Sequence, residues 1–311
     1  MKMTVLSAFV ASALTIGNAV ATDDWTVSPY GAEDEIGAAN LLTPEIVMKA
    51  IGLVKEGKVY SLAVPLSKEL PAFRHRSFQL YSVHPGEQGG QTLGPNKFTF
   101  NDELVNAWTG IGTQLNGIGH IGIDNVYYNG NKVEDFGSIE GVKKLGVEKV
   151  PPFVTRGVVL DMTQYYGQDI VEGGTEFTVK DIKAVLKAQN VTLQEGDVVL
   201  FNTGWLNLIG NDHKQFLETE PGIGMEAAQW LAEKNIVAFG GDTWASEVYP
   251  NKSGLEFPVN QFMLAKKGIY NLELIDTREL VKDNAFEFLF VMGHPLYKGS
   301  TQVNINPVAI K

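Results

Sequence analysis

The sequence predicts a mixed α/β fold in which a partly closed sheet is flanked by helices, in a single domain. Three observations carry that expectation. Short, apolar, β-branched runs recur along the chain, and capped amphipathic segments lie between them. The late part alternates strand with helix, whereas the early part is richer in strands and turns. With 311 residues, 44% of them hydrophobic and 20% charged, the chain can bury a sizeable core and falls outside the disordered, collagen-like and coiled-coil classes.

The first element is an export signal. Met1-Lys2-Met3 forms a short positive head, residues 4–17 an apolar stretch too short to cross a bilayer, and Ala19-Val20-Ala21 an Ala-x-Ala ending. Residues 1–21 are expected to be removed, leaving residues 22–311 as the folded domain in the periplasm or outside the cell. No later segment is apolar enough to be a membrane span.

Next, Thr43-Pro44-Glu45 supplies a cap, a first-turn proline and an acid that suits the helix dipole. Ile46, Val47, Ala50, Ile51 and Val54 follow at helical spacing, with Gly57 as the stop. Thr178 to Asp181 has capping-box spacing ahead of Ile182, Val185 and Leu186. Residues 225–234 and 258–266 are expected to be further helices. Strands are expected over 59–64, 78–83, 97–100, 120–127, 154–160, 198–201, 236–240, 285–292 and 303–310.

Charge and cysteine content narrow the function. The net charge is −11 with no basic block, which argues against nucleic acid and anionic membrane surfaces as partners. There is no cysteine, hence no disulfide and no thiolate nucleophile. Any metal would have to be held by oxygen and imidazole nitrogen.

One segment stands apart. From Thr109 to His120 there are four glycines in Gly110, Gly112, Gly117 and Gly119, a density that forgoes helix and strand propensity and predicts a shaped loop. Thr113, Gln114, Asn116 and His120 supply its polar side chains, and a plain structural turn is the alternative.

Taken with later segments, this loop resembles the cyclase family, which includes bacterial kynurenine formamidases and isatin hydrolases. The order Gly112-Thr113-Gln114-x-Asn116-Gly117-x-Gly119-His120 is followed by Tyr128-Asn129-Gly130, by Arg156 to Asp161, by Gly196 to Leu200 with Thr203-Gly204-Trp205, and by Gly240-Gly241-Asp242-Thr243. Phe257 to Leu264, Gly268 to Glu273 and an ending from Pro295-Leu296 to Ile310 extend the likeness over nearly the whole chain after the signal. The resemblance implies a swivelling β/β/α fold, a homo-oligomer (dimer or tetramer), and hydrolysis of an amide or lactam of a small molecule at a divalent metal, zinc or manganese.

The family's loop pattern is His-x-Gly-Thr-His-x-Asp-x-Pro-x-His. Aligned on Gly112-Thr113, its first two histidines fall on Gly110 and Gln114, its aspartate on Asn116, its proline on Ile118, and its last histidine on His120. A downstream histidine falls on Asn260, and a downstream glutamate is kept as Glu273. Gly110 offers no donor and the two amides offer only neutral oxygen, so the loop suits hydrogen bonding better than a cation cage. Whether a metal is bound stays open; if one is, His120, Gln114, Asn116 and Glu273 would hold it.

These departures leave His120 and Glu273 with catalytic capacity. The expected mechanism makes His120 the general base, oriented by Glu273. Thr113, Gln114 and Asn116 would contact the substrate carbonyl, with Asp242, Trp244 and Asn260 as further binding residues. Weaker candidates are Glu247, His294 as a replacement ligand, and His75 with Arg76 for an anionic group; Phe73, Phe78, Trp108, Trp205 and Trp244 would line an apolar pocket. Two alternatives stand beside this: a metal-dependent amidohydrolase with ligands rebuilt from His120, Asp242, Glu247, Glu273 or His294, and a non-catalytic small-molecule-binding protein.

Overall fold

The computed structural model describes residues 24–83 and 92–311, so the export signal expected at residues 1–21 lies outside the described residues. In chain order the strands are β1 (Val59–Ser61), β2 (Phe78–Val83), β3 (Asp102–Ala107), β4 (Gln114–Asn116), β5 (Val126–Tyr127), β6 (Asn131–Lys132), β7 (Phe153–Asp161), β8 (Glu176–Phe177), β9 (Val198–Asn202), β10 (Gly222–Ile223), β11 (Ala238–Gly241), β12 (Tyr270–Glu273), β13 (Glu287–Met292), β14 (Gln302–Asn304) and β15 (Val308–Ile310). Nine of them form one mixed sheet in the order β1-β15-β13-β7-β9-β11-β12-β4-β14. β7, β9, β11 and β12 run parallel at its centre, and antiparallel strands extend it on both sides.

The parallel centre is buried on both faces, which is why β7 and β9 read as continuous apolar runs. Val158, Val159 and Leu160 pack there with Val198, Val199, Leu200 and Phe239, all fully buried. Helices cover the sheet where their caps predicted them. Thr43 caps the helix Pro44–Ile51 by accepting from the Ile46 amide. Thr178 and Asp181 form a complete capping box ahead of Val179–Ala188, whose Ile182, Val185 and Leu186 face the core.

Several expectations need correction. The helix after Thr43 ends at Ile51 with Gly52 as its C-cap, so it never reaches Val54 or Gly57. The stretch 97–100 is no strand; its hairpin partner to β2 is β3, which polar residues hid from the apolar pattern. Within 120–127 only β5 is extended, and 303–310 breaks into β14 and β15. β12 went unpredicted because its side chains alternate polar and apolar over only four residues. Residues 258–266 are helical as expected, with a π-helical stretch at Gln261–Lys266. The largest correction is that the glycine-rich segment contains β4, a strand locked between β12 and β14. Two flanking ladders override its weak local propensity.

Candidate active site

β4 builds the site through the two-residue period of a strand. Its register sets Asn116 between Asn271 and Gln302, Leu115 between Leu272 and Val303, and Gln114 between Glu273 and Asn304. Leu115, Leu272 and Val303 turn into the core. The alternate residues of the three strands therefore form a polar layer on the other face.

At the centre of that layer is the Glu273 carboxyl. Gln114 Nε2 donates to Oε2 at 2.5 Å, Asn116 Nδ2 to Oε1 at 2.5 Å, and Asn271 Nδ2 to Oε1 at 3.1 Å. Asn116 Oδ1 in turn accepts from Gln302 Nε2 at 2.7 Å and from Gln114 Nε2 at 3.3 Å, which fixes the amide with its nitrogen toward Glu273. Burial pushes the Glu273 carboxyl up to about 8, against the opposing pull of the Arg76 charge and the Asn116 and Gln114 hydrogen bonds.

This layer forms one wall of a cavity of about 310 Å³, with Phe73, Trp244 and Phe257 on another side and Arg74, Arg76, His120 and Asn260 around it. Phe73 stacks on Trp244 with ring centroids 5.0 Å apart, and Phe257 meets both edge-on. Phe257 holds this position at a φ of +47°, in the left-handed region. Desolvation in the cavity, with the Arg76 charge second, pushes the His120 imidazole down to about 3, so the ring is neutral at ordinary pH. No hydrogen bond joins His120 to Glu273 among the described residues, and the expectation that Glu273 orients His120 is not supported.

The cavity thus gathers His120, Glu273, Asn116, Trp244 and Asn260. Gln114 stands behind Glu273 as a buried donor. Thr113 and Asp242 stay out of it. The Thr113 hydroxyl accepts from the Val64 amide and donates to the Leu274 carbonyl. Asp242 accepts from the Thr203 amide and hydroxyl and from the Trp205 amide, which consumes its oxygens in a turn. Its carboxyl, pushed up to about 6 by burial, is a structural group.

The weaker candidates divide in the same way. Glu247 accepts from the amides of Val259 and Asn260 and from the Asn260 side chain, and so holds the cavity wall from behind. His294 hydrogen-bonds the Val147 carbonyl and is no replacement ligand. His75 packs edge-on against the exposed Trp108. Trp205 belongs to a second core cluster, against which Phe78 packs. Arg76 does reach the cavity. Arg74, Phe257 and Gln302 were missed by sequence reading; Gln302 lies 186 residues from the Asn116 it touches, and no local signal links them.

The donor set does not fit a divalent cation. Gln114 and Asn116 present amide N–H groups to Glu273, whereas a cation would need their oxygens turned inward and the carboxylate released from three donors. Among the described residues there is no grouping of three or more His, Asp or Glu able to hold one.

A curled mixed sheet with outer helices, carrying a carboxyl and an imidazole in a cavity near one end of the strand order, defines an α/β protein with a polar cleft beside its edge strands. The chain belongs to the cyclase family: residues 60–248 match the family model described as "Putative cyclase". Among solved structures it is similar to a novel cyclase at 28% identity, with a TM-score of 0.84 and coverage of 91% of this chain and 96% of the other. Isatin hydrolase A from Ralstonia solanacearum shares the fold at 19% identity, with a TM-score of 0.60 and coverage of 82% and 92%. A predicted metal-dependent hydrolase from Bacillus stearothermophilus shares it at 17% identity, with a TM-score of 0.54 and coverage of 81% and 97%. A search of curated proteins finds no match.

Proposed function

We propose that this chain hydrolyses the C–N bond of an amide or lactam in a small, flat molecule, with Glu273 carrying the proton. The observation behind this reading is one cavity lined both by an aromatic cluster and by a carboxyl buried under amide donors. An aromatic slab binds a planar substrate, and a carboxyl that titrates near 8 is matched to proton exchange near neutral pH.

In the proposed step a water oxygen bonds to the carbonyl carbon while its proton passes to the ionised Glu273. Glu273 then gives that proton to the leaving nitrogen, the C–N bond breaks, and acid and amine depart. His120, held neutral, accepts a hydrogen bond from the attacking water and aligns it. This reverses the roles expected from sequence, because the environment leaves His120 the weaker base.

The test is turnover of a panel of aryl amides, formanilides and lactams, followed by absorbance. Glu273→Gln is expected to lower the rate by about 10²- to 10⁴-fold. Turnover at the wild-type rate by this variant contradicts the reading, as does a wild-type protein that turns over none of the panel. We also propose that the mature chain starts at Thr22 and is exported, an inference that rests on the head, apolar stretch and Ala-x-Ala ending of residues 1–21. N-terminal sequencing of the periplasmic or secreted form checks it, and a retained Met1 contradicts it.

A further inference from the structure

A side chain added at Gly110 would meet Arg76 Nη1 at 2.8 Å and both polar atoms of the Gln302 side chain at 2.8 Å. This is the position that the family motif gives to its first histidine. The volume there is already filled, by the Arg76 guanidinium on one hand and the Gln302 amide on the other. Arg76 Nη1 donates to the Gly110 carbonyl at 2.8 Å. Among the described residues the guanidinium makes no ion pair and no other hydrogen bond, although it lines the cavity alongside His120 and Glu273. A guanidinium has five N–H donors in a fixed fork, and four of these lack a partner among the described residues. A second donor nearby is also unmatched: Trp244 is buried, lines the same cavity, and its indole N–H has no hydrogen-bond partner. A buried indole N–H is normally paired, whereas Arg76 is half-buried. By contrast, the amides of Gln114, Asn116 and Asn260 are all engaged with protein acceptors.

We propose that Arg76 is a fixed cation of this cavity, which Arg74 and Glu256 also line, that it stands in the space of the family's first histidine, and that it holds a negatively charged oxygen of the bound molecule against the Phe73–Trp244 wall. The proposal rests on the reading of this cavity as the substrate site. It gives the site an electrophile that is part of the chain. A charged fork favours an anionic oxygen over a neutral one of the same shape. The oxygen has two possible sources, a carboxylate on the substrate or the oxyanion that develops as water adds to the carbonyl.

Calorimetric titration of the full-length protein with benzoate and with its neutral isostere benzamide tests the charge. Benzoate is expected to bind more tightly, and Arg76→Gln to weaken benzoate by about 10- to 100-fold with benzamide unchanged. Arg76→Lys, which keeps the charge and loses the fork, is expected to fall between the two. Equal affinity for the two ligands in the wild type, or an equal loss of both in Arg76→Gln, overturns the proposal. Kinetics on a neutral aryl amide separates the sources: a lower kcat at unchanged KM in Arg76→Gln assigns the developing oxyanion, and unchanged kinetics together with weakened benzoate assigns a substrate carboxylate. Titration with zinc or manganese alone is expected to show no stoichiometric binding; a tight 1:1 complex that displaces benzoate overturns the proposal. Turnover that depends on Glu273 while benzoate ignores Arg76 would sink this inference and leave the proposed hydrolysis standing.

Discussion

Glu273 is the residue on which the proposed chemistry turns, and its behaviour follows from two opposed effects. Burial raises its proton affinity, while the Arg76 charge and the Asn116 and Gln114 amides lower it. If the ionised form takes the water proton, the rate rises with pH and levels off above about 8. Removing a donor moves that limb in a calculable direction. Asn116→Ala deletes a hydrogen bond to the carboxylate, so the limb shifts to higher pH by about one unit. A pH–rate profile on the wild type and this variant decides the matter, and a shift to lower pH contradicts the assignment. Glu273 and His120 were legible in the sequence because the cyclase resemblance pointed to them. The division of labour proposed for them was not, since it depends on what surrounds each ring or carboxyl. Arg76 was legible, beside His75, as a loop candidate for an anionic group, but its contact with Gly110, 34 residues away, needs the fold.

At the scale of elements, the central strands and capped helices could be read directly, because β7, β9 and the helix Val179–Ala188 each carry a strong and sustained pattern. β4 could not. Its three residues sit among glycines, and only pairing with β12 on one side and β14 on the other makes them a strand. That pairing converts a sequence alternation, Gln114-Leu115-Asn116, into a polar face and a core face. The same register explains why Gln114 and Asn116 face Glu273 while Thr113, one residue earlier, is held between the Val64 amide and the Leu274 carbonyl. Candidate residues close in sequence thus separate by strand phase, which a loop assignment could not foresee.

For the whole molecule, the buried carboxyls make stability depend on pH. Glu273 and Glu247 titrate at about 8 and about 7 in the folded chain, above their ordinary range, with burial the first cause in both. The folded state then keeps protons that the unfolded chain has already released, so the contribution of these two carboxyls is full below about pH 4 and is lost as pH rises through 7 and 8. His120 acts in the opposite sense, losing stability as pH falls from about 6.5 toward 3. The thermal midpoint is therefore expected to drop by roughly 5 °C between pH 6 and pH 9, and by less in Glu273→Gln. Scanning calorimetry at both pH values checks this, and a midpoint that rises contradicts it.

The overall architecture was anticipated from alternating strands and helices, whereas the arrangement that brings residue 76 beside residues 110, 120 and 273 came only from the pairing of distant segments. The cleft is expected to work through the buried Glu273 carboxyl and through a guanidinium in the space of the family motif's first histidine. Its most direct test is the rate of aryl amide hydrolysis after exhaustive chelation, measured beside Glu273→Gln. A wild-type rate unchanged by chelator and a variant rate lower by about 10²-fold or more is the expected result; a wild-type rate abolished by chelator and restored by manganese or zinc is the result that contradicts it.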